Sequence, residues 1–364
     1  MNTTLVYIEK GEEVLMLHRV RKSGDINAGK WIGVGGKFEE GESPEACMRR
    51  EVFEETGLQV DEYRYAAVVT FSCDDDYELM HLFLVTRFHG ELQTCAEGDL
   101  EWLPKSQLTE IPHWSGDRIF LSLLFGKPRP FFSLKMVYEK GILLEASLNE
   151  HPCLVTDRLI LRPWLLEDAE TLYHLASDPA VGPPGGWAPH MSVEESLTVI
   201  REVLSRPEIY AIVPRGESEP IGCIGLQNFR LAGPDGELFS FFDERKSGDP
   251  GLCTKVSLQE TGLREGDFTI EAELGYWLGR HSWGQGFIYE ASKVLMDRGF
   301  RRLNLSRIWC SYFLPNERSR RSQEQLGFQF HHRTDGVKVK ALHEVRTEIT
   351  NVMTRADYFL GVSE

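Results

Sequence analysis

The segment GKFEEGESPEACMRREVFEETGL, residues 36–58, leaves the chain little choice of local fold. Ser43 is a strong N-cap, Pro44 suits the first helical position and Glu45 suits the first turn. Gly57 is the natural stop after Thr56. A helix over about 44–56 is therefore expected. On it Glu51 and Glu55 stand four apart and Glu51 and Glu54 three apart, so the three carboxylates share a face. Like charges at this spacing destabilise a helix by about 0.2–0.5 kcal/mol per pair. A divalent cation would neutralise them. Carboxylate oxygens suit hard ions such as Mg²⁺ or Mn²⁺, which also take phosphate oxygens. A solvated acidic face is the alternative, but the flanking glycines, Glu42 and Arg50 favour the cation. Arg50 is expected to pair with a carboxylate, Glu42 foremost, and so tie the preceding loop to the helix.

The fixed positions Gly36, Glu42, Arg50, Glu51, Glu54, Glu55 and Gly57 follow the spacing G-x5-E-x7-R-E-U-x-E-E-x-G-U, with Val52 and Leu58 at the aliphatic sites. This pattern resembles the Nudix box of enzymes that hydrolyse a nucleoside diphosphate linked to another group.

Around it, Leu5–Ile8 and Val14–His18 read as a hairpin about Lys10-Gly11-Glu12. Ala28–Lys37 sets glycines around a tryptophan, and Gly35 and Gly36 allow close backbone approach to a ligand. Strand-like runs recur at 65–71, 79–87 and 132–138, with a helical pattern at Ile119, Leu121, Leu123 and Leu124 between the last two. Many strands around few helices suggest an α/β sandwich.

Residues 1 to about 148 resemble the MutT-type Nudix hydrolases, in particular 8-oxo-dGTP diphosphatases. The likeness is carried by Ala28–Lys37, the box, Trp114-Ser115-Gly116-Asp117 and the closing PFFSLKMVYEKGILLEA hairpin. It implies an α/β/α sandwich with a mixed sheet. It also implies metal held by the Gly35 carbonyl and by Glu51, Glu54, Glu55 and Glu97, with Asp99 a neighbouring alternative to Glu97. Attack of water on phosphorus would follow, with Glu54 or Glu51 taking the proton, Glu97 as a further candidate, and Arg50 in support. Lys37, Trp114 and Asp117 would meet the substrate. Trp114 would stack on a purine and Asp117 bond its edge; alternatively Trp114 is core and Asp117 an N-cap. Ile32 stands where the mammalian-type enzyme has a purine-binding asparagine, and isoleucine offers a base no hydrogen bond.

The 364 residues suffice for two ordinary domains. A net charge of −16 without a basic stripe argues against duplex nucleic acid or an anionic membrane as partner. The seven cysteines form no C-x-x-C pair and read as reduced thiols of a cytoplasmic protein. The N-terminus lacks a basic stretch followed by a long apolar run, and no run approaches a membrane span, so neither signal peptide nor span is expected.

The boundary is expected near Ala146–Cys153, giving domains 1–148 and 152–364. LILR, IYAIVP, PIGCIGLQNF and FTIEAELGYWLG read as strands, with an amphipathic helix from Leu166. Trp283-Gly284-Gln285-Gly286 then opens a helix with apolar Ile288, Ala291, Val294, Leu295 and Phe300. Strand, glycine pair and helix offer backbone N–H groups and a positive helix end to a pyrophosphate. With Asn316-Glu317-Arg318-Ser319, the run Glu324–Phe328, TDRLILRP and ELGYWLG, residues 152–359 resemble GNAT acetyltransferases of the RimJ/RimL type. This implies an α/β fold with a mostly antiparallel mixed sheet and acetyl-CoA as co-substrate. The backbone of His281–Gly286, Trp283 and Gln285 included, would bind it, with Asn316 near the thioester. Glu273 or Glu271 would serve as base; they share one strand face, and the alternative for one of them is a merely solvated carboxylate. The family's general-acid tyrosine falls at Gln323, leaving Ser319 as substitute. An insertion at about 231–267 interrupts the pattern.

The leading expectation is a bifunctional enzyme: a Mg²⁺-dependent hydrolase of oxidised purine nucleoside triphosphates joined to an acetyltransferase acting on an amine or protein N-terminus. The alternative is a hydrolase of another nucleoside diphosphate derivative joined to a unit that only binds acetyl-CoA.

Overall fold

The computed structural model describes residues 1–21, 25–232, 238–240 and 269–361. They fall into two compact units, Met1–Arg162 with Pro214–Ser218, and Pro163–Val213 with the described part of Glu219–Glu364.

The first unit carries strands β1 (Asn2–Lys10), β2 (Glu13–His18), β3 (Trp31–Ile32), β4 (Gln59–Cys73), β5 (Asp76–His89), β6 (Asp99–Pro104), β7 (Phe132–Glu139) and β8 (Ile142–Leu148). Helix α1 (Pro44–Thr56) lies between β3 and β4, and α2 (Asp117–Leu124) between β6 and β7. The expected β1–β2 hairpin forms, its Gly11 in the left-handed region at φ 62°. β1 runs parallel to β5 and β4 parallel to β7, while β2–β6, β4–β5 and β7–β8 are antiparallel, so the sheet is mixed. On β7 the alternation Phe132, Leu134, Met136, Tyr138 faces inward, as period-two patterning requires. Two further strands, β9 (His151–Val155) and β10 (Leu159–Arg162), extend the unit as antiparallel neighbours of β8 and of each other.

Helix α1 begins and ends as its sequence dictates. The Ser43 hydroxyl accepts from the Ala46 N–H at 3.2 Å, Pro44 follows, and Gly57 closes the helix at φ 76°. Its inner face sets Met48 and Val52 against Val6, Ile8, Leu15 and Leu17 of the sheet. That packing fixes the helix's rotation and hence the direction of its carboxylates. Ser43→Ala is expected to cost about 1 kcal/mol in urea unfolding, the ordinary price of a lost cap; an unchanged midpoint would contradict the capping role.

The second unit contains β11 (Ile209–Pro214), β12 (Gly222–Ala232), β13 (Leu238–Ser240), β14 (Thr269–Leu278), β15 (Leu305–Phe313), β16 (Gln329–Val339) and β17 (Glu344–Thr354). Its helices are α3 (Ala169–Ala176), α4 (Val193–Val199), α5 (Phe287–Arg301), α6 (Glu317–Gln325) and α7 (Arg355–Gly361). β14 and β15 are parallel; the β11–β12, β12–β14, β15–β17 and β16–β17 pairs are antiparallel. The β14–β15 ladder stops at Glu273–Trp309, although β14 continues along β12 to Leu278 and β15 along β17 to Phe313. The two central strands therefore part beyond Glu273. Of the expected insertion, residues 233–237 and 241–267 lie outside the described residues, and β13 pairs with the end of β12. Among the described residues, no helix is long and apolar enough to cross a membrane.

Candidate active sites

In the first unit the loop before α1 lies against the helix's carboxylate face. Arg50 is the link. Its Nε and Nη2 reach Glu42 at 2.7 and 2.9 Å, and Nη1 reaches Glu51 at 2.8 Å and Glu54 at 3.1 Å. Nη2 also donates to the Lys37 carbonyl at 3.0 Å. The bidentate pair with the guanidinium holds the Glu42 carboxyl down at about 2. The expected Arg50–Glu42 tie is present, and Arg50 additionally gathers two helix carboxylates.

The glycines are needed by geometry. A β-carbon at Gly36 would lie 2.4 Å from Glu51 Oε1, and one at Gly35, where φ is 139°, would lie 2.3 Å from the Thr4 carbonyl oxygen. Val6 and Thr4 donate to the carbonyls of Val34 and Gly36, so ladder alternation turns the Gly35 carbonyl and N–H away from β1. The Gly35 N–H donates to Glu55 Oε2 at 2.8 Å.

Glu55 is 8% exposed, and burial pushes its carboxyl up to about 7, with the charges of Glu97 and Glu51 adding to the rise. Glu51 is raised for the same first reason, burial, with Glu54 and Glu97 contributing repulsion. These mutual effects place Glu51, Glu54, Glu55 and Glu97 in one electrostatic neighbourhood. Glu54 is the outermost, its side chain 57% exposed. The donor set is hard oxygen throughout, which fits Mg²⁺ or Mn²⁺ in kind. Among the described residues, however, no three such groups converge closely enough to hold an ion. Arginines take the carboxylates instead: Arg50 as above, and Arg19 on Glu97. Arg19 is buried, pairs with Asp25 at 2.7 Å and makes a short contact to Glu97. Asp99, the neighbouring alternative, pairs with exposed Arg21 at 2.5 Å.

Trp114 is 8% exposed and enclosed. Its Nε1 donates to Asn27 Oδ1 at 2.8 Å, Lys30 Nζ sits 4.1 Å over its ring, and its edges meet Phe71 and Tyr138. A stacked purine would have to displace Lys30. Gly116, not Asp117, is the N-cap of α2; Asp117 is the first helical residue, buried, and burial pushes its carboxyl up to about 8. Ile32 pairs with Leu17 across β2–β3. The Lys37 side chain is exposed.

In the second unit the residues assigned to acetyl-CoA gather beside the parting of β14 and β15. Gly286 caps α5 at φ 78°, and the first internal bond of the helix runs from the Glu290 N–H to the Gly286 carbonyl. The amides of its first turn thus have no i−4 acceptor. The whole loop does not offer its amides, however. Ser282 and Trp283 donate to the carbonyls of Gly279 and Arg280, because the chain makes a 3₁₀ turn there. Asn316 is occupied at both ends: Oδ1 accepts from the Ser319 N–H at 3.2 Å as the cap of α6, and Nδ2 donates to the Pro184 carbonyl at 3.4 Å.

The two strand glutamates differ: Glu271 is buried, and Glu273 is the partly solvated one. Glu271 is 1% exposed and accepts from Arg230, Arg307 and Trp309 at 3.2, 2.9 and 2.7 Å. It anchors the strands. Glu273, half-buried at the end of the ladder, accepts from Asn228 Nδ2 at 2.7 Å. Gln323 is fully buried and bonds Ser319 Oγ at 3.1 Å and Asn351 at 2.7 Å. Tyr276, which sequence reasoning missed, brings its hydroxyl to 3.3 Å from Ser319 Oγ; burial pushes its pKa well up. Arg19 was missed too, and no local sequence signal marks either.

Comparison with known proteins matches residues 2–124 to the NUDIX domain and residues 158–329 to the acetyltransferase (GNAT) domain. An oxidized purine nucleoside triphosphate hydrolase of Danio rerio is 31% identical over 149 residues, 40% of this chain and 93% of that protein. Its Mus musculus counterpart is 32% identical over the same shares. An uncharacterized N-acetyltransferase, p20, of Bacillus licheniformis is 32% identical over 181 residues, 48% of this chain and 82% of that protein.

Proposed function

We propose, for a chain that belongs to the NUDIX family over residues 2–124 and to the GNAT acetyltransferase family over residues 158–329, an enzyme with two activities, divided between residues 124 and 158. The first is hydrolysis of oxidised purine nucleoside triphosphates, such as 8-oxo-dGTP, to the monophosphate and pyrophosphate. The observation that carries it is the α1 carboxylate face, held by Arg50 against the Gly35–Gly36 loop. The similarity to the hydrolases of Danio rerio and Mus musculus supports the substrate class.

Glu51, Glu54, Glu55, Glu97 and the Gly35 carbonyl would hold Mg²⁺ or Mn²⁺. When bound, the ion supplies Lewis acidity toward water and screens the polyphosphate. Arg50 orients Glu51 and Glu54 from the loop side. Glu54, the most exposed of the set, takes the proton as water oxygen bonds to phosphorus; Glu51 is the second choice, and Glu97 remains a further candidate. The phosphorus–oxygen bond to pyrophosphate then breaks. Trp114 and Asp117 bound the base, and Lys37 meets the phosphates.

The second activity is acetyl transfer from acetyl-CoA to an amine or protein N-terminus. Gly284, Gln285 and Gly286 at the start of α5 take the pyrophosphate, with His281 and Trp283 shaping the loop. Glu273 accepts the amine proton as nitrogen attacks the thioester carbon. The C–S bond breaks, and the CoA thiolate leaves and takes a proton from the Ser319 hydroxyl, which the Tyr276 hydroxyl 3.3 Å away can resupply.

Ile32 favours a second reading of the first unit, hydrolysis of another nucleoside diphosphate derivative. Gln323 in place of a tyrosine favours a second unit that only binds acetyl-CoA. The deciding assay measures phosphate-bond cleavage in 8-oxo-dGTP, dGTP and ADP-ribose with Mg²⁺, and thiol release from acetyl-CoA with a panel of amines and peptide N-termini. Preference for 8-oxo-dGTP is expected; equal rates on all three nucleotides would remove the oxidised-purine reading.

A further inference from the structure

We infer that Arg318 is a positioning residue for the loop Trp283–Gly286, acting through the indole of Trp283. The inference rests on the reading of that loop as the acetyl-CoA site. Gly284 and Gly286 both sit in the left-handed region, at φ 74° and 78°, and a β-carbon at Gly284 would meet nothing within 4 Å. Such a stretch is soft, since glycines resist no torsion. A pyrophosphate site needs its N–H groups held in advance, because ordering them on binding subtracts from affinity.

Trp283, immediately before the glycines, is the rigid point. Its Nε1 donates to the Leu278 carbonyl at 2.9 Å, fastening the indole to the last residue of β14. The guanidinium of Arg318, in the first turn of α6, lies 3.7 Å from the centre of the ring. That is well inside the reach of a cation–π contact. Gln285 adds a bond from Nε2 to the His281 carbonyl at 2.9 Å. The loop is thus gripped from β14 on one side and from α6 on the other. α6 is itself set by the Asn316 cap, so the two helix starts that flank the loop are mechanically joined. Arg318 makes no ion pair among the described residues, in contrast to Arg320 on the same helix, which bonds Glu317 and Glu324. Its cation is committed to the indole.

The test is a double-mutant cycle on acetyl-CoA binding by the full chain, read by calorimetry, which needs no knowledge of the acceptor. Arg318→Ala is expected to weaken binding about two- to fivefold, the worth of one exposed cation–π contact. Trp283→Leu should weaken it more, since it also loses the bond to β14. In the Trp283→Leu background, Arg318→Ala should add nothing, and Arg318→Lys in the native background should restore part of the loss. Arg318 is exposed, and unchanged melting of Arg318→Ala separates loop positioning from general stability. Multiplying losses would show that Arg318 meets acetyl-CoA directly and would overturn the inference, as would an unchanged affinity in Arg318→Ala. Absence of binding to the wild-type chain would remove the acetyl-CoA reading itself, and this inference with it.

Discussion

Glu54→Gln is expected to slow pyrophosphate release from the preferred nucleotide by about 10²- to 10⁴-fold, the usual contribution of a positioned general base. The substitution keeps the size of the side chain and removes only its charge and basicity. Glu54 is mostly exposed and its Arg50 contact is a surface pair, so the fold should lose little with it. Circular dichroism and melting should match the wild type while kcat falls. Full activity would strip Glu54 of both its assigned parts and pass the proton to Glu51 or Glu97. Glu51→Gln is a less clean probe, because that carboxylate also packs against Gly36 and bonds Arg50.

Asp117→Asn should stabilise the first unit at pH 8 by several kcal/mol, and the gain should vanish toward pH 4. Folding raises the Asp117 carboxyl from an ordinary value near 3.8 to about 8, first through burial. The folded chain therefore binds a proton more tightly than the unfolded one. Stability falls as pH rises between those values, by at most about 1.4 kcal/mol per pH unit from this group. Asparagine is nearly isosteric and carries no charge, so it removes the slope. Urea unfolding of both proteins from pH 4 to 8 checks it; a difference constant with pH would show that the carboxyl is paired in a way that keeps it ionised. Burial first, and the Asp117 charge second, raise Tyr7 and Tyr138, so the variant should lower both phenols only in part.

What the sequence made legible was local. The bounds of α1 follow from Ser43, Pro44 and Gly57, each acting within a turn of the backbone it governs. Arg50 and Glu42, eight residues apart, could be paired by charge alone because a loop and a helix start lie between them. Arg19 and Glu97 are separated by 78 residues and meet only because β2 pairs with β6, a register no local pattern reveals. Strand alternation put Glu271 and Glu273 on one face, but their different fates depend on partners from β12 and β15. Ser319 was legible as a candidate, but Tyr276 and its contact with Ser319 join separate elements and were likewise invisible. The sheet classes followed from the resemblances; the premature end of the β14–β15 ladder did not.

The arginines at the α1 site bear on the cation proposed for the first unit. Glu51, Glu54 and Glu97 each already face a guanidinium supplied by the chain. The protein thus carries its own resident counter-ions, and its acidic face can form before any cation arrives. Loading with the proposed cation would be an exchange of partners between arginine and metal, in which the incoming charge competes with a tethered one.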